Sequence, residues 1–124
     1  MRALIIDDSR AIRAIISRTL KELGVGECVE AGDGKAGLAA IAVKGPFNFA
    51  MVDWNMPEMN GYEFIRSVRA SADWRDLPMM MVTTETEMEQ VVRALAAGAN
   101  EYLMKPFTPE MVEEKLQILG IKGS

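Results

Sequence analysis

The chain has 124 residues, 49% of them hydrophobic, and a formal net charge of -4, which suits one domain built around one core and leaves no room for a second. Lysine and arginine are scattered rather than clustered, so nothing resembles the basic stripe that duplex DNA or an anionic membrane requires, and no apolar run approaches the roughly 20 residues that span a bilayer. There is no histidine, which removes imidazole acid–base catalysis, histidine-activated nucleophiles and histidine metal ligands, so carboxylates and lysines must carry any chemistry. The single cysteine, Cys28, has no partner for an internal disulfide, and the N-terminus lacks the apolar stretch of a signal peptide, which predicts a cytoplasmic protein.

Residues 3–6 form a short apolar run, and Ile12, Ile15, Ile16 and Leu20 follow at helical spacing, which reads as a strand and then an amphipathic helix. The alternation repeats, with strands over residues 28–30, 49–52, 79–82 and 102–104 leading into helices over 35–43, 62–70, 87–97 and 110–119. Punctuation agrees: Asn60 and Glu63 are spaced as a capping box, Thr108 suits an N-cap with Pro109 in the first turn, and Gly24, Gly45 and Gly98 fall near helix ends. Strands that are continuously apolar rather than alternating are buried on both faces. The predicted fold over residues 1–124 is therefore a single doubly wound α/β domain, a flavodoxin-like five-stranded parallel sheet covered by five helices.

Ligands of such sheets bind beyond the carboxyl ends of the strands, where the strand order reverses. The first strand runs into Asp7 and Asp8, the third into Asp53, the fourth into Thr83 and Thr84, and the fifth into Lys105 before Pro106. Each has an ordinary reading taken alone: Asp7 and Asp8 favour the N-terminus of the first helix, Asp53 opens a turn, and Lys105 is an exposed strand end. Together they place acids on one sheet edge, where like charges repel unless a cation or the lysine compensates. A cation site accounts for that arrangement.

Asp7-Asp8, Asp53 within DWNMPEMNG, Thr83 within MVTTE, and Lys105-Pro106-Phe107, in this order and spacing, resemble the signature of response-regulator receiver domains over nearly the whole chain. The DWNMP stretch is most similar to the single-domain chemotaxis regulators of that family. The resemblance implies a phosphorylation-activated switch of a two-component system, with Asp53 accepting a phosphoryl group from the phosphohistidine of a partner histidine kinase or from a small phosphodonor. Such a protein catalyses only its own phosphorylation and dephosphorylation. The implied cofactor is Mg²⁺, a hard ion that takes oxygen ligands, held by the carboxylates of Asp8 and Asp53 and the backbone carbonyl of Asn55, with Asp7 acting directly or through a metal-bound water. Lys105 would pair with Asp53 at rest and with a phosphoryl oxygen later. Pro106 resembles a family position whose preceding peptide bond is cis, which would aim Lys105 inward.

The same resemblance supplies a switch, in which Thr83 hydrogen-bonds the new phosphoryl group and its movement frees space for the ring of Tyr102. Asn55 and Glu85 occupy family positions that influence water attack and hence dephosphorylation. The implied output surface combines the fourth helix, fifth strand and fifth helix and faces a target such as the flagellar motor switch. On the fourth helix Met88, Val91, Val92 and Leu95 make a wider apolar arc than one buried stripe requires, which fits either deep burial or a partner-facing surface. The ten methionines divide the same way, with most expected in the core.

Two other classes remain open at this stage. A phosphatase of the haloacid-dehalogenase type also uses a strand-end aspartate with Mg²⁺, but its Asp-x-Asp motif would need a second acid where this chain has Asn55, and 124 residues leave little room for a substrate-binding cap. A binding module that kept the receiver fold without the chemistry would be expected to have lost Asp8, Asp53 or Lys105, and all three are present.

Overall fold

Five short strands pair in parallel in the computed structural model, which describes residues 1–56, 58–84 and 88–121. They are Arg2–Ile6 (β1), Glu27–Ala31 (β2), Phe49–Asp53 (β3), Met79–Thr84 (β4) and Glu101–Lys105 (β5), in the order β2-β1-β3-β4-β5. The helices between them are Arg10–Glu22 (α1), Gly34–Lys44 (α2), Gly61–Ala70 (α3), Met88–Ala97 (α4) and Pro109–Ile118 (α5). The fold is the doubly wound α/β sheet that the apolar runs predict. The residue Glu85, expected to modulate dephosphorylation, lies outside the described residues.

Local chemistry explains where the helices begin. Asn60 accepts from the Glu63 amide at 2.9 Å while the Glu63 carboxylate accepts from the Asn60 amide at 3.2 Å, completing the expected capping box. Thr108 caps α5 through the Met111 amide, with Pro109 in the first turn. Ser9 and Asp33 cap α1 and α2 in the same way, although neither stands out in the sequence. Past the helix ends, Gly24 and Gly98 take positive φ values of 100° and 123°, as a left-handed chain reversal requires. Gly45 also falls at a helix end, as the C-cap of α2, but with an extended backbone at a φ of -65°.

The three central strands are buried along their length, with Ala3 to Ile6, Phe49 to Val52 and Met79 to Val82 all at 1% exposure or less. Alternate residues divide between two cores. Leu4, Ile6, Ala50, Val52, Met79 and Met81 pack under α2, α3 and α4 with Ile41, Phe64 and Ala94. Ala3, Ile5, Phe49, Met51, Met80 and Val82 pack under α1 and α5 with Ile16, Leu20, Val112 and Leu116. Met51, Met79, Met80 and Met81 are fully buried in the sheet, Met1, Met56 and Met59 pack half-buried against the cores, and Met111 is exposed, so the methionines divide between core and surface. The apolar arc of α4 divides: Val91 is buried, whereas Val92 and Leu95 are 72% and 42% exposed.

Register fixes the functional edge. Ile6 pairs with Val52, Asp53 with Val82, and Thr84 with Lys105, so the residues ending β1, β3, β4 and β5 emerge side by side. The chain turns outward to β2 from one side of β1 and continues through β3 on the other, which opens a crevice at the β1 and β3 ends.

Candidate functional site

Asp7 extends β1 by one ladder bond, its amide donating to the Ala31 carbonyl at 3.1 Å, and is only 1% exposed. One carboxylate oxygen accepts from the Ser9 amide at 2.8 Å, the other from Lys105 Nζ at 3.2 Å. Asp8 follows and is exposed. Because Ser9 is the N-cap, both acids directly precede α1, and Asp7 accepts from the N-cap amide, so the ordinary helix-terminus reading stands beside the site reading.

Asp53 is the last residue of β3 and is 7% exposed. Its Oδ1 accepts from Lys105 Nζ at 3.4 Å. One ammonium group thus bridges two buried carboxylates on neighbouring strands. The peptide bond from Lys105 to Pro106 is cis. Oxygen atoms of Asp7, Asp8 and Asp53 all lie within 4.8 Å of one another, a donor set of hard oxygens that fits a divalent cation such as Mg²⁺.

Burial pushes the Asp53 carboxyl up to about 6, with the neighbouring Asp7 charge adding to the rise and Lys105 opposing it. Burial works against the charge of Lys105 too, but Asp53 and Asp7 outweigh it and hold the ammonium above the usual lysine range. A single lysine therefore leaves the three acids undercompensated. A bound cation would favour the ionised form of Asp53, which is the nucleophilic form.

Three acids and the lysine meet as the strand ends predict, whereas Thr83 bonds within its own strand. Thr83 is fully buried, and its Oγ1 donates to the Thr84 carbonyl at 3.3 Å. Strand alternation puts Thr83 on the face of Met81, which pairs with Tyr102. Thr83 and Tyr102 therefore share one face of the sheet, one ladder step apart. Tyr102 is half-buried, with Lys115 Nζ 4.5 Å from its ring centre; that lysine also pairs with Glu101 at 3.0 Å. Asn55 is exposed two residues past Asp53.

Two supports of the site escape a reading of the sequence. Arg13 of α1 donates to the Asp7 carbonyl at 2.6 Å and pairs with Glu30 of β2 at 3.1 Å, tying helix, edge strand and acid together. Gly61, the first residue of α3, donates to the Trp54 carbonyl at 3.0 Å. A Cβ there would stand 2.5 Å from the Asp53 carbonyl oxygen. The glycine that ends DWNMPEMNG thus lets α3 press against the backbone of Asp53, and its place at a capped helix start is the only signal in the sequence. Trp54 is 7% exposed, its ring centre 6.0 Å from that of Tyr62 at a 59° tilt.

Comparison with known proteins bears on this edge as a whole. The family described as "Response regulator receiver domain" matches residues 3–117. The "Chemotaxis protein CheY homolog" of Campylobacter jejuni is 43% identical over 121 residues, 97% of this chain and 93% of that protein. The "Chemotaxis protein CheY1" of Helicobacter pylori is 39% identical over 119 residues, 96% of each. Among solved structures, the chemotaxis response regulator CheY4 of Vibrio cholerae superposes with a TM-score of 0.85 at 40% identity, covering 95% of this chain and 97% of that one. A putative response regulator from Chloroflexus aurantiacus superposes at 0.87 with 30% identity, covering 96% and 97%.

Proposed function

The chain belongs to the response-regulator receiver family, and on that premise we propose that it is a phosphorylation-activated switch of a two-component system, with Asp53 as the phosphoacceptor. The observation that carries this reading is the position of Asp53: buried at the crevice edge, within 3.4 Å of Lys105 Nζ and with Asp7 and Asp8 close by. Its relatives named as chemotaxis proteins support a role in chemotaxis in the cytoplasm, with a histidine kinase upstream and a target such as the flagellar motor switch downstream. Among the described residues no helix is long and apolar enough to cross a membrane.

In the proposed transfer a carboxylate oxygen of Asp53 forms a bond to phosphorus as the bond from phosphorus to the donor imidazole nitrogen breaks. The imidazole leaves with the electron pair and takes a proton from solvent. Lys105 starts on Asp53 and is placed to follow the charge to a phosphoryl oxygen. Asp7 anchors that lysine while its other oxygen stays on the Ser9 amide. Asp8 and Asp53, with the carbonyl of Asn55, would hold Mg²⁺, which supplies compensation for charge on the transferring group. Thr83 would leave the Thr84 carbonyl for a phosphoryl oxygen, loosening the face it shares with Tyr102. Hydrolysis of the acyl phosphate, modulated by Asn55 and Glu85, would return the chain to rest.

Intact-mass analysis after incubation with acetyl phosphate and Mg²⁺ tests the reading. The wild-type chain should gain one phosphoryl group and Asp53→Asn none. A folded, Mg²⁺-binding wild type that gains nothing would instead be a binding module on the receiver fold.

A further inference from the structure

Away from the acid cluster, an open groove of about 470 Å³ runs between α3 and α4, lined by Tyr62, Arg66, Arg93, Ala96 and Ala97. The guanidinium carbon of Arg93 lies 4.8 Å from the Tyr62 ring centre and that of Arg66 lies 5.7 Å from it. Two like charges from different helices thus converge on one aromatic ring. The ring offsets part of their repulsion, but an anion between them would offset far more.

Among the described residues, no acid is paired with either arginine. Glu63, three residues before Arg66, turns its carboxylate to the Asn60 amide. Arg93 makes a 3.3 Å hydrogen bond to the Gln90 side chain. Arg69 shows what a structural arginine on α3 does instead. Its guanidinium donates to the carbonyls of Gly98, Arg75 and Leu77 and to the Asn100 side chain, at 2.6 to 2.9 Å. Arg66 and Arg93 are exposed and line the groove.

We propose that this groove binds a dianionic phosphate group, with Arg66 and Arg93 donating to different oxygens so that the anion joins α3 to α4. Planar guanidinium forks match phosphate oxygens with two bonds each, which single ammonium groups do not. The small side chains of Ala96 and Ala97 leave the helix surface open to a tetrahedral group. The net charge of -4 disfavours a broad acidic protein surface more than a small dianion. Inorganic phosphate and a phosphate ester carry the same chemistry, and the guanidinium planes offer the ester's organic part a stacking surface.

The test is a pair of titrations of the full chain in metal-free buffer at constant ionic strength, one with inorganic phosphate and one with AMP, followed by backbone amide NMR. Saturable shifts at Tyr62, Arg66, Arg93, Ala96 and Ala97 are expected, weakened about tenfold or more in Arg66→Gln and in Arg93→Gln. They should persist in Asp53→Asn, and both arginine variants should still be phosphorylated by acetyl phosphate with Mg²⁺, which separates this site from the phosphoacceptor. Tighter binding of AMP assigns an ester as the source, and AMP binding no tighter than phosphate assigns the free ion. Shifts that never saturate, that sodium chloride reproduces, that centre on Asp53 and Lys105, or that survive in the Arg66→Gln/Arg93→Gln double variant would overturn the proposal.

Discussion

Replacing Asp53 by asparagine should stabilise the metal-free protein, and by an amount that depends on pH in a defined way. The carboxyl ordinarily titrates at 3.8 and is pushed up to about 6 in the fold, chiefly by burial. Between those values the folded chain holds a proton that the unfolded chain has released, so stability falls as pH rises through that window and levels off above it. A difference of about two pH units at 1.36 kcal/mol each makes ionised Asp53 cost the metal-free fold about 3 kcal/mol at neutral pH. Asparagine keeps the shape and the acceptor facing Lys105 without the charge. Urea unfolding in EDTA, from about pH 4 to about pH 8, should find Asp53→Asn close to wild type at the acid end and ~1–3 kcal/mol more stable at the neutral end. Adding Mg²⁺ at about 100 times its Kd should then raise the wild type by about 2.7 kcal/mol and the variant by much less, narrowing the gap. A difference that is flat with pH, or a metal-free wild type that outlasts Asp53→Asn at neutral pH, would refute the electrostatic account.

Asp8 is exposed, so water already screens its repulsion; Asp8→Ala should move metal-free stability by only ~0.5 kcal/mol while weakening Mg²⁺ binding, read as a change in Trp54 fluorescence in a Trp74→Phe background. An unchanged Mg²⁺ titration would remove Asp8 from the ligand set. Thr83→Ala should still be phosphorylated, but its partner affinity should respond less to phosphorylation, because a ligand shifts two states only by its differential interaction with them; surface plasmon resonance with and without acetyl phosphate measures this. Gly61→Ala drives a Cβ to 2.5 Å from the Asp53 carbonyl oxygen, and thermal melts should show a loss of ~1–3 kcal/mol, with slower phosphorylation because the strand end must shift.

Much of this molecule is legible from its sequence for one reason: in a parallel sheet buried on both faces, the first residue that interrupts an apolar run must lie at the edge. Asp7, Asp53 and Lys105 are such residues, and register brings them together. The direction of Thr83 is not legible that way. It depends on strand alternation relative to Lys105, and Lys105 pairs with Thr84, so the two adjacent threonines point to opposite faces. Nor does the α4 periodicity say which part of its apolar arc is covered, because that depends on where α3 packs. Val91 is inside and Val92 outside although the two are neighbours in the chain.

The arginines of α3 make the same point in terms of chemistry. Arg66 and Arg69 are the same residue type three positions apart, yet Arg69 is held by acceptors from the α3–β4 connection and from the turn before β5, segments that only the fold brings to it. Arg66 instead meets Arg93 across Tyr62. Tyr62 also lies against Trp54, next to Asp53. An anion held by the two arginines would restrain the Tyr62 ring, and through it the tryptophan beside Asp53. By linkage, if phosphorylation changes the anion affinity by some factor, the bound anion favours or disfavours the phosphorylated state by that same factor. Measuring the anion affinity of the phosphorylated and resting chains would therefore show whether the two clusters act separately or as one switch.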